Sequence, residues 1–250
     1  MNHDISVQLR GWEYNASEVT VRKIIGVDGS EKIQMRLDLG LLQMETTGRP
    51  DGLHPNGHDS LLEYHLSRRS THEQVHGDIE GFELTSDECS DIKQEAMQYY
   101  YRYLSLFHLG EYAGVIRDTQ RNLHAFDLVR DHSEDDNERA SLEQFRPYVL
   151  MMNTRAKACL LLEDEEFDLA LEKIESGIGR IQDFFLEVER PDLAENCREI
   201  AFLRDWSERI RSNRPLSPQD RLKQELQIAV EAEDYERAAK LRDEIQELVA

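Results

Sequence analysis

The sequence predicts an α+β protein that is mostly α-helical, with a small N-terminal antiparallel sheet, a helical array and a C-terminal helical hairpin. Two patterns predict this fold class. Up to about residue 60, apolar and polar residues alternate with the period of two that is typical of strands with one buried face. From Thr85 onward, apolar residues recur three or four positions apart, the spacing of one helix face. The 250 residues are enough to bury a core without disulfides or structural metals.

Three antiparallel strands are expected in the alternating region, in residues 5–10, 19–22 and 33–39. Asp28-Gly29 lies between the second and third of these, and glycine supplies the positive backbone φ that a tight hairpin turn needs. The Gly- and Pro-containing run 46–52 then ends the strand region. Residues 1–60 are therefore predicted to form a small antiparallel β domain.

A polar, histidine-rich connector is expected over residues 61–85, with a short helix near 60–69. Beyond it Thr85 and Glu88 have the spacing of a capping box, and Ser217-Pro218 is a good helix start. Seven further helices are expected, at 87–108, 111–130, 138–162, 166–188, 191–211, 218–231 and 235–249. They divide into a helical domain, 86–214, and a terminal hairpin, 216–250.

Three helix–helix corners share an acidic residue, an aromatic residue and, three positions later, a small or branched apolar residue. They begin at Glu111-Tyr112, Glu166-Phe167 and Asp234-Tyr235. The ring is expected to fill the wedge where the helices diverge, and the later residue to allow close approach. The first two corners resemble tetratricopeptide repeats, whose stacked helical pairs form a concave binding surface. Their spacing departs from 34 residues, so an ordinary helical bundle remains an alternative.

The charge and cysteine content restrict the function. The chain has 30 Lys and Arg against 51 Asp and Glu, a formal net charge of -21, and no basic segment. Such a surface repels phosphate backbones and anionic lipid, so neither direct nucleic-acid binding nor membrane binding is expected. Three cysteines without metal-ligand spacing predict neither a disulfide framework nor a zinc site. With an N-terminus unlike a signal peptide, the protein is expected to be cytoplasmic.

The C-terminal hairpin carries the most specific motif. Leu222, Leu226 and Ala229 precede an acidic corner at Glu233-Asp234, after which Tyr235, Ala238, Ala239, Leu241, Arg242 and Ile245 follow. This pattern resembles the UVR motif of the excision-repair helicase UvrB, its partner nuclease UvrC, the protease adaptor McsA and ClpC-type unfoldases. The resemblance implies a helical hairpin that pairs with a second UVR motif or docks on a partner protein, and implies no catalytic activity by itself.

The apolar spacing in this hairpin independently predicts a coiled-coil-like seam on each helix. Because so short a hairpin buries little surface alone, it must pack on something. Docking on the protein's own helices is one alternative, and an exposed module for a partner or a homodimer is the other. The expected partner-binding residues are those of the seam and corner, namely Leu222, Leu226, Ala229, Tyr235, Ala238, Leu241, Ile245 and Leu248.

Two N-terminal segments, Leu37 to Met44 and Gly48-Arg49-Pro50-Asp51-Gly52, resemble uncharacterised bacterial proteins that also end in a UVR motif. That likeness implies no activity. The glycines do not form a phosphate-binding pattern, so a structured turn is expected.

An aromatic stripe lies on the helix expected at 87–108. Tyr99, Tyr103 and Phe107 share one face and are expected to seal the core, leaving Tyr100 and Arg102 to solvent. A peptide groove lined with aromatic side chains is the alternative.

Histidines cluster in the connector, at His54, His58, His65, His72 and His76. Two pairs are four residues apart, which is a metal-ligand spacing on a helix. A solvated polar connector is the simpler interpretation, and we expect no metal or other cofactor.

No nucleophile or metalloprotease motif occurs, so no enzyme is predicted. The predicted function is a non-enzymatic adaptor that uses its UVR hairpin to recruit a ClpC-type unfoldase or an excision-repair subunit, or to self-associate. The alternative is a metal-dependent or nuclease-like accessory factor in DNA excision repair, which depends on the histidine cluster.

Overall fold

The computed structural model describes residues 4–214, 218–232 and 234–247. The chain forms two compact units, Met1–Trp206 and Ser207–Ala250. The predicted four-part domain division is finer than these two units and stays a prediction. The elements, in chain order, are α1 (Ser6–Leu9), β1 (Val21–Ile25), β2 (Glu31–Arg36), β3 (Leu41–Glu45), a 3-10 turn (Pro55–Gly57), α2 (Leu61–His76), α3 (Ser86–His108), α4 (Tyr112–His132), α5 (Asp136–Glu143), α6 (Arg146–Glu163), α7 (Phe167–Glu187), α8 (Pro191–Glu195), α9 (Arg198–Asn213), α10 (Pro218–Glu231) and α11 (Tyr235–Glu247).

The predicted fold class is confirmed. A three-stranded antiparallel sheet in the order β1-β2-β3 comes first, and an array of helices follows it. In the central strand Ile33 pairs with Lys23 on one side and with Met44 on the other, and Ile33 and Met44 are buried. β2 lies against α3, so α3 covers the apolar face of the sheet. In the array α3 packs on α4, α4 on α6 and α6 on α7.

The hairpin turn predicted between Val21 and Ile33 is confirmed. Gly29 has a φ of +80°, which a residue with a side chain rarely adopts. The Asp28 carboxylate fixes the same turn, because it accepts hydrogen bonds from the backbone N–H and the hydroxyl of Ser30 at 3.1 and 2.8 Å.

The first predicted strand, 5–10, is wrong, since Ser6–Leu9 is the short helix α1. The Asp4 carboxylate accepts a 2.9 Å hydrogen bond from the Ser6 N–H, which favours a local turn over an extended strand. Ile5 and Val7 are exposed, so the alternation there buries no face. The predicted strand 33–39 corresponds to β2, and the third strand of the sheet is Leu41–Glu45. Between them the chain reverses in a tight turn, in which the Leu37 N–H donates to the Gly40 carbonyl at 2.9 Å.

Two predicted helices are each broken in two. The range 138–162 divides into α5 and α6 because Pro147 has no N–H and is tolerated only in the first turn of a helix. The range 191–211 divides into α8 and α9 near Asn196, where no proline or glycine marks the break. The short helix expected at 60–69 is longer, since α2 continues to His76 and ends at Gly77 in the left-handed conformation.

The predicted helix starts are partly testable. The capping box is confirmed, because the Thr85 hydroxyl accepts from the Glu88 N–H and the Glu88 carboxylate accepts from the Thr85 N–H. α10 begins at Pro218 as expected. The proposed cap Ser217 and the boundary residue Pro215 lie outside the described residues.

The three corners share one feature and differ in another. Val115, Ala170 and Ala238, the residues three positions after each aromatic residue, are all buried. Tyr112 and Phe167 are half-buried as expected for wedge residues. Tyr235 is 69% exposed, so the prediction that this ring fills its corner is wrong for the isolated chain.

Close approach of α6 and α7 depends on Gly177, because a Cβ at this position would overlap the buried side chain of Thr154. We expect Gly177→Ala to lower the free energy of unfolding by about 1–3 kcal/mol through overpacking. Gly179 lies two residues further along the same helix, and a Cβ at this position would meet no other atom within 4 Å. Gly179→Ala is therefore the matched control, and it should be stabilising by about 0.5–1 kcal/mol in urea unfolding, since glycine is a poor helix former. Equal effects of the two substitutions would contradict this packing.

Within the part of the chain that the structure describes, no helix has the length and apolar character needed to cross a membrane.

Candidate functional site

The C-terminal hairpin consists of α10 and α11, which pack on each other. Ala229, Ala238 and Leu241 are buried between the two helices, and Leu222 and Leu226 pack partly buried against them. At the corner, the Asp234 N–H donates to the Ala229 carbonyl at 2.9 Å, and the Asp234 carboxylate accepts from the Arg237 N–H at 3.1 Å. The acidic residue thus caps the second helix while the small alanines allow the helices to approach.

The expected partner-binding residues fall into two groups. Most of them form the interior of the hairpin, because Leu222, Leu226, Ala229, Ala238 and Leu241 belong to one cluster and Ile245 is half-buried. Tyr235 is instead exposed at the corner. Leu248 lies outside the described residues. Whether these residues bind a partner stays a prediction, but the seam already has an occupant, which is the other helix of the same hairpin.

Two apolar side chains outside the seam, Ile228 and Val230, were not predicted from the sequence as candidate site residues. Ile228 is 56% exposed, and Val230 is also exposed, on either side of the buried Ala229. With Tyr235 they are the exposed large apolar side chains among the described residues of the hairpin, and we call these three residues the exposed hairpin patch. Their signal in the sequence is that they are apolar at positions outside the three-four seam, where a solvated helix face would be polar.

The hairpin carries exposed ion pairs on its surface. The Arg237 guanidinium bridges from α11 to Glu225 of α10 at 3.1 Å, and Lys240 pairs with Glu236 at 3.4 Å within α11. All four side chains are exposed, and such pairs contribute little free energy each. Apolar contact is therefore the stronger means by which this hairpin can hold a partner.

The histidines of residues 54–76 have different surroundings in the structure. His65 is buried with its Nδ1 2.9 Å from Arg68, His54 faces Asp59 at 3.2 Å, and the rings of His72 and His76 lie 4.3 Å apart. Among the described residues, no group of three or more His, Cys, Asp or Glu side chains is placed to hold a metal ion. The observation that motivated a metal-dependent function is thus not reinforced by the geometry.

The pKa of His65 is lowered, chiefly because burial disfavours its charged form, with the Arg68 charge adding to the effect. A histidine whose folded pKa lies below its unfolded pKa of about 6.5 gives its full stability above that pH and loses it as the pH falls. We expect the urea midpoint to fall between about pH 7.5 and pH 5.5 by more in the wild type than in His65→Gln, which cannot titrate. Parallel curves for the two proteins would show that His65 is not responsible.

A buried ion network joins the sheet to the helices. Arg102 is completely buried, so the prediction that it faces solvent is wrong. Its Nε and Nη2 bind the buried Asp118 carboxylate at 2.7 and 2.9 Å, and its Nη1 donates to the Glu45 carbonyl at 3.2 Å. Tyr99 and Tyr103 are buried beside it, as expected. Their phenol pKa values are raised by burial, that of Tyr99 to about 12.

A second buried group of ion pairs, around Glu95, includes a residue of the turn at Gly48-Arg49-Pro50-Asp51-Gly52. Arg49 lies 3.3 Å from the fully buried Glu95 carboxylate, which also pairs with Arg121. The Glu95 oxygen that faces Arg49, Oε2, also accepts a 2.8 Å hydrogen bond from the Leu61 N–H at the start of α2. The turn therefore has a structural role, because it helps to hold α2 against α3. This agrees with the structured turn that was expected.

The three cysteines are free. Burial raises the thiol pKa of Cys89, Cys159 and Cys197, so each is held in the protonated form that is a poor nucleophile.

Comparison with known proteins gives one match. Residues 218–250 match the family model described as the UvrB/uvrC motif, UVR. This confirms that the chain contains a UVR motif, in the range that the spacing and the residues predicted. The UVR motif is known for protein–protein or DNA-repair interactions. Neither the search of curated proteins nor that of solved structures found a match.

Proposed function

We propose that the protein is a non-enzymatic adaptor whose UVR hairpin recruits a partner protein. The observation that carries the proposal is that the family match, 218–250, coincides with a hairpin that has its own buried seam and leaves apolar side chains in solvent. Several large apolar side chains exposed on one small module are typical of an interaction surface. The net charge of -21 favours a neutral or basic protein over nucleic acid as the partner.

The proposed partner is a ClpC-type unfoldase or an excision-repair subunit, or a second copy of the same hairpin. The resemblance to proteins of those systems supports the choice, and the apolar patch fits any of them. Since the interior seam is used within the hairpin, we place the contact on the exposed hairpin patch, with Tyr235 at its corner end.

An affinity pull-down tests the proposal. The full chain and a chain ending at Arg214 are used as baits, and the proteins retained by each are identified. A partner retained only by the full chain supports the proposal, and identical sets would contradict it. Metal analysis of the untagged protein accompanies the experiment, because a stoichiometric bound metal would favour the metal-dependent alternative.

A further inference from the structure

A cavity of about 450 Å³ lies between α3, α4 and the junction of α5 and α6. Its volume is in the range of about 300–1,000 Å³ typical of ligand pockets. The break between α5 and α6 forms one wall, since Phe145 and Tyr148 beside it line the cavity together with Met97 of α3. We call this cavity the aromatic pocket.

The inner surface of the aromatic pocket is neutral. Tyr100 packs against Tyr103 and Tyr148, with ring centroids 5.5 and 6.1 Å apart. Burial raises the pKa of the Tyr148 phenol to about 12, so the ring is uncharged near neutral pH. Asn122 at the floor is already satisfied, because its amide donates to the Ala96 carbonyl at 2.9 Å. An apolar or aromatic group fits such a surface.

The rim of the pocket is apolar as well. Two of its lining residues, Met97 of α3 and Phe145 at the junction of α5 and α6, are 44% and 42% exposed. Large exposed apolar side chains beside an apolar cavity extend the contact area beyond the cavity, so the occupant can be part of a longer chain.

The charge at the pocket is opposite to that of the protein. Lys93 is the one charged residue of the lining, and no carboxylate lines it, although the chain has 51 Asp and Glu. Within the described residues Lys93 is exposed and makes no ion pair, whereas Lys23 and Lys32 are both paired. A cation beside an apolar pocket favours an occupant with a negative charge next to its apolar group.

We propose that the aromatic pocket binds a peptide segment of a partner protein in which a large apolar side chain is flanked by acidic residues. The apolar side chain enters between Tyr100 and Phe145, and an acidic neighbour pairs with Lys93. The site is independent of the UVR hairpin, since its lining residues lie between 93 and 149. The adaptor would thus have a second binding site, for a different protein segment.

Methyl NMR of the full chain, labelled at the methionine methyl groups, tests the proposal. Met97 is one of six methionines and its methyl group reports directly on the pocket. The probes are the blocked tripeptides acetyl-Asp-Phe-Asp-amide, acetyl-Lys-Phe-Lys-amide and acetyl-Asp-Ala-Asp-amide. We expect a saturable shift of the Met97 signal with the first and weaker binding by the other two.

Two substitutions locate the effect. Lys93→Glu should weaken binding of the acidic phenylalanine peptide by about two- to fivefold or more, as for loss and reversal of an exposed ion pair. Lys173→Glu makes the same charge change on an exposed residue of α7 outside the lining. It should weaken the binding of this peptide by less than Lys93→Glu does, because salt screens the interaction with a distant exposed charge. Both positions are exposed, so the fold is retained.

Three outcomes would overturn the proposal. One is the absence of a saturable Met97 shift with the acidic phenylalanine peptide, and another is equal binding of the acidic and basic peptides. The third is equal weakening by Lys93→Glu and Lys173→Glu. None of these depends on the hairpin, so they leave the proposed function of the UVR motif to its own test.

Discussion

Arg102→Met is expected to lower the free energy of unfolding by about 3–5 kcal/mol, because it leaves the buried carboxylate of Asp118 without its bidentate partner. Asp118 also binds Arg117 at 2.8 Å, and this single remaining contact comes from a half-exposed side chain. The same substitution removes the hydrogen bond to the Glu45 carbonyl, which connects α3 to the end of the sheet. Urea unfolding followed by circular dichroism measures the loss.

Two further variants separate the ion pair from simple loss of packing. Arg102→Met combined with Asp118→Leu removes both charges and should recover part of the lost stability, since no unpaired charge then remains buried. Arg190→Met breaks an exposed pair with Asp192 and should cost less than about 1 kcal/mol. If Arg102→Met and Arg190→Met destabilise equally, the buried network does not have the role assigned to it.

Leu226→Asp and Ile245→Asp are each expected to abolish partner capture. Leu226 packs against the buried alanines of the hairpin and Ile245 is half-buried on the opposite helix. A carboxylate placed there without a partner costs about 2 kcal/mol or more, and so short a hairpin has little stability to lose. The hairpin should open while the helices of 86–214 stay folded.

Circular dichroism and the pull-down are read together for these two variants. A small loss of helical signal with complete loss of the partner is the expected result. Lys240→Ala changes an exposed charge pair of the same helix and should retain the partner. Partner capture by both seam variants would remove the hairpin from the binding site and direct attention to the helical part of the chain.

The sequence predicted those parts of the fold that depend on local patterns. Apolar periodicity gave the change from sheet to helices, Thr85 and Glu88 gave the start of α3, and Gly29 gave the hairpin turn, because each depends on residues close together in the chain. The C-terminal hairpin was predictable for the same reason, since its motif and its seam both lie within residues 218–250.

Features that depend on distant residues were not predictable in this way. Arg102 was expected in solvent because it lies outside the helix face of Tyr99, Tyr103 and Phe107, and its burial is made favourable by Asp118 of the next helix. The alternation at residues 5–10 imitates a strand but has no neighbour to pair with. The aromatic pocket depends on the break between α5 and α6, which opens a cavity beside a stripe that was expected to be core.

The sequence predicted where the candidate site lies, in the C-terminal hairpin, but not which of its residues are exposed. The apolar stripes of the two helices were expected to face each other, and the structure confirms this for Leu222, Leu226, Ala229, Ala238 and Leu241. The surface left for a partner contains Ile228 and Val230, which a three-four seam does not include, and Tyr235, which was expected to be internal.

The central claim is that the exposed hairpin patch recruits the partner, and one measurement tests it most directly. A full-length bait carrying Ile228→Glu and Tyr235→Glu is compared with the wild type in a quantitative pull-down of the partner that the chain ending at Arg214 fails to retain. Both side chains are more than half exposed, so the hairpin should keep its helical content. The account predicts a loss of capture of about tenfold or more, as for removal of interface hot spots. Capture at the wild-type level by this doubly substituted protein would contradict it.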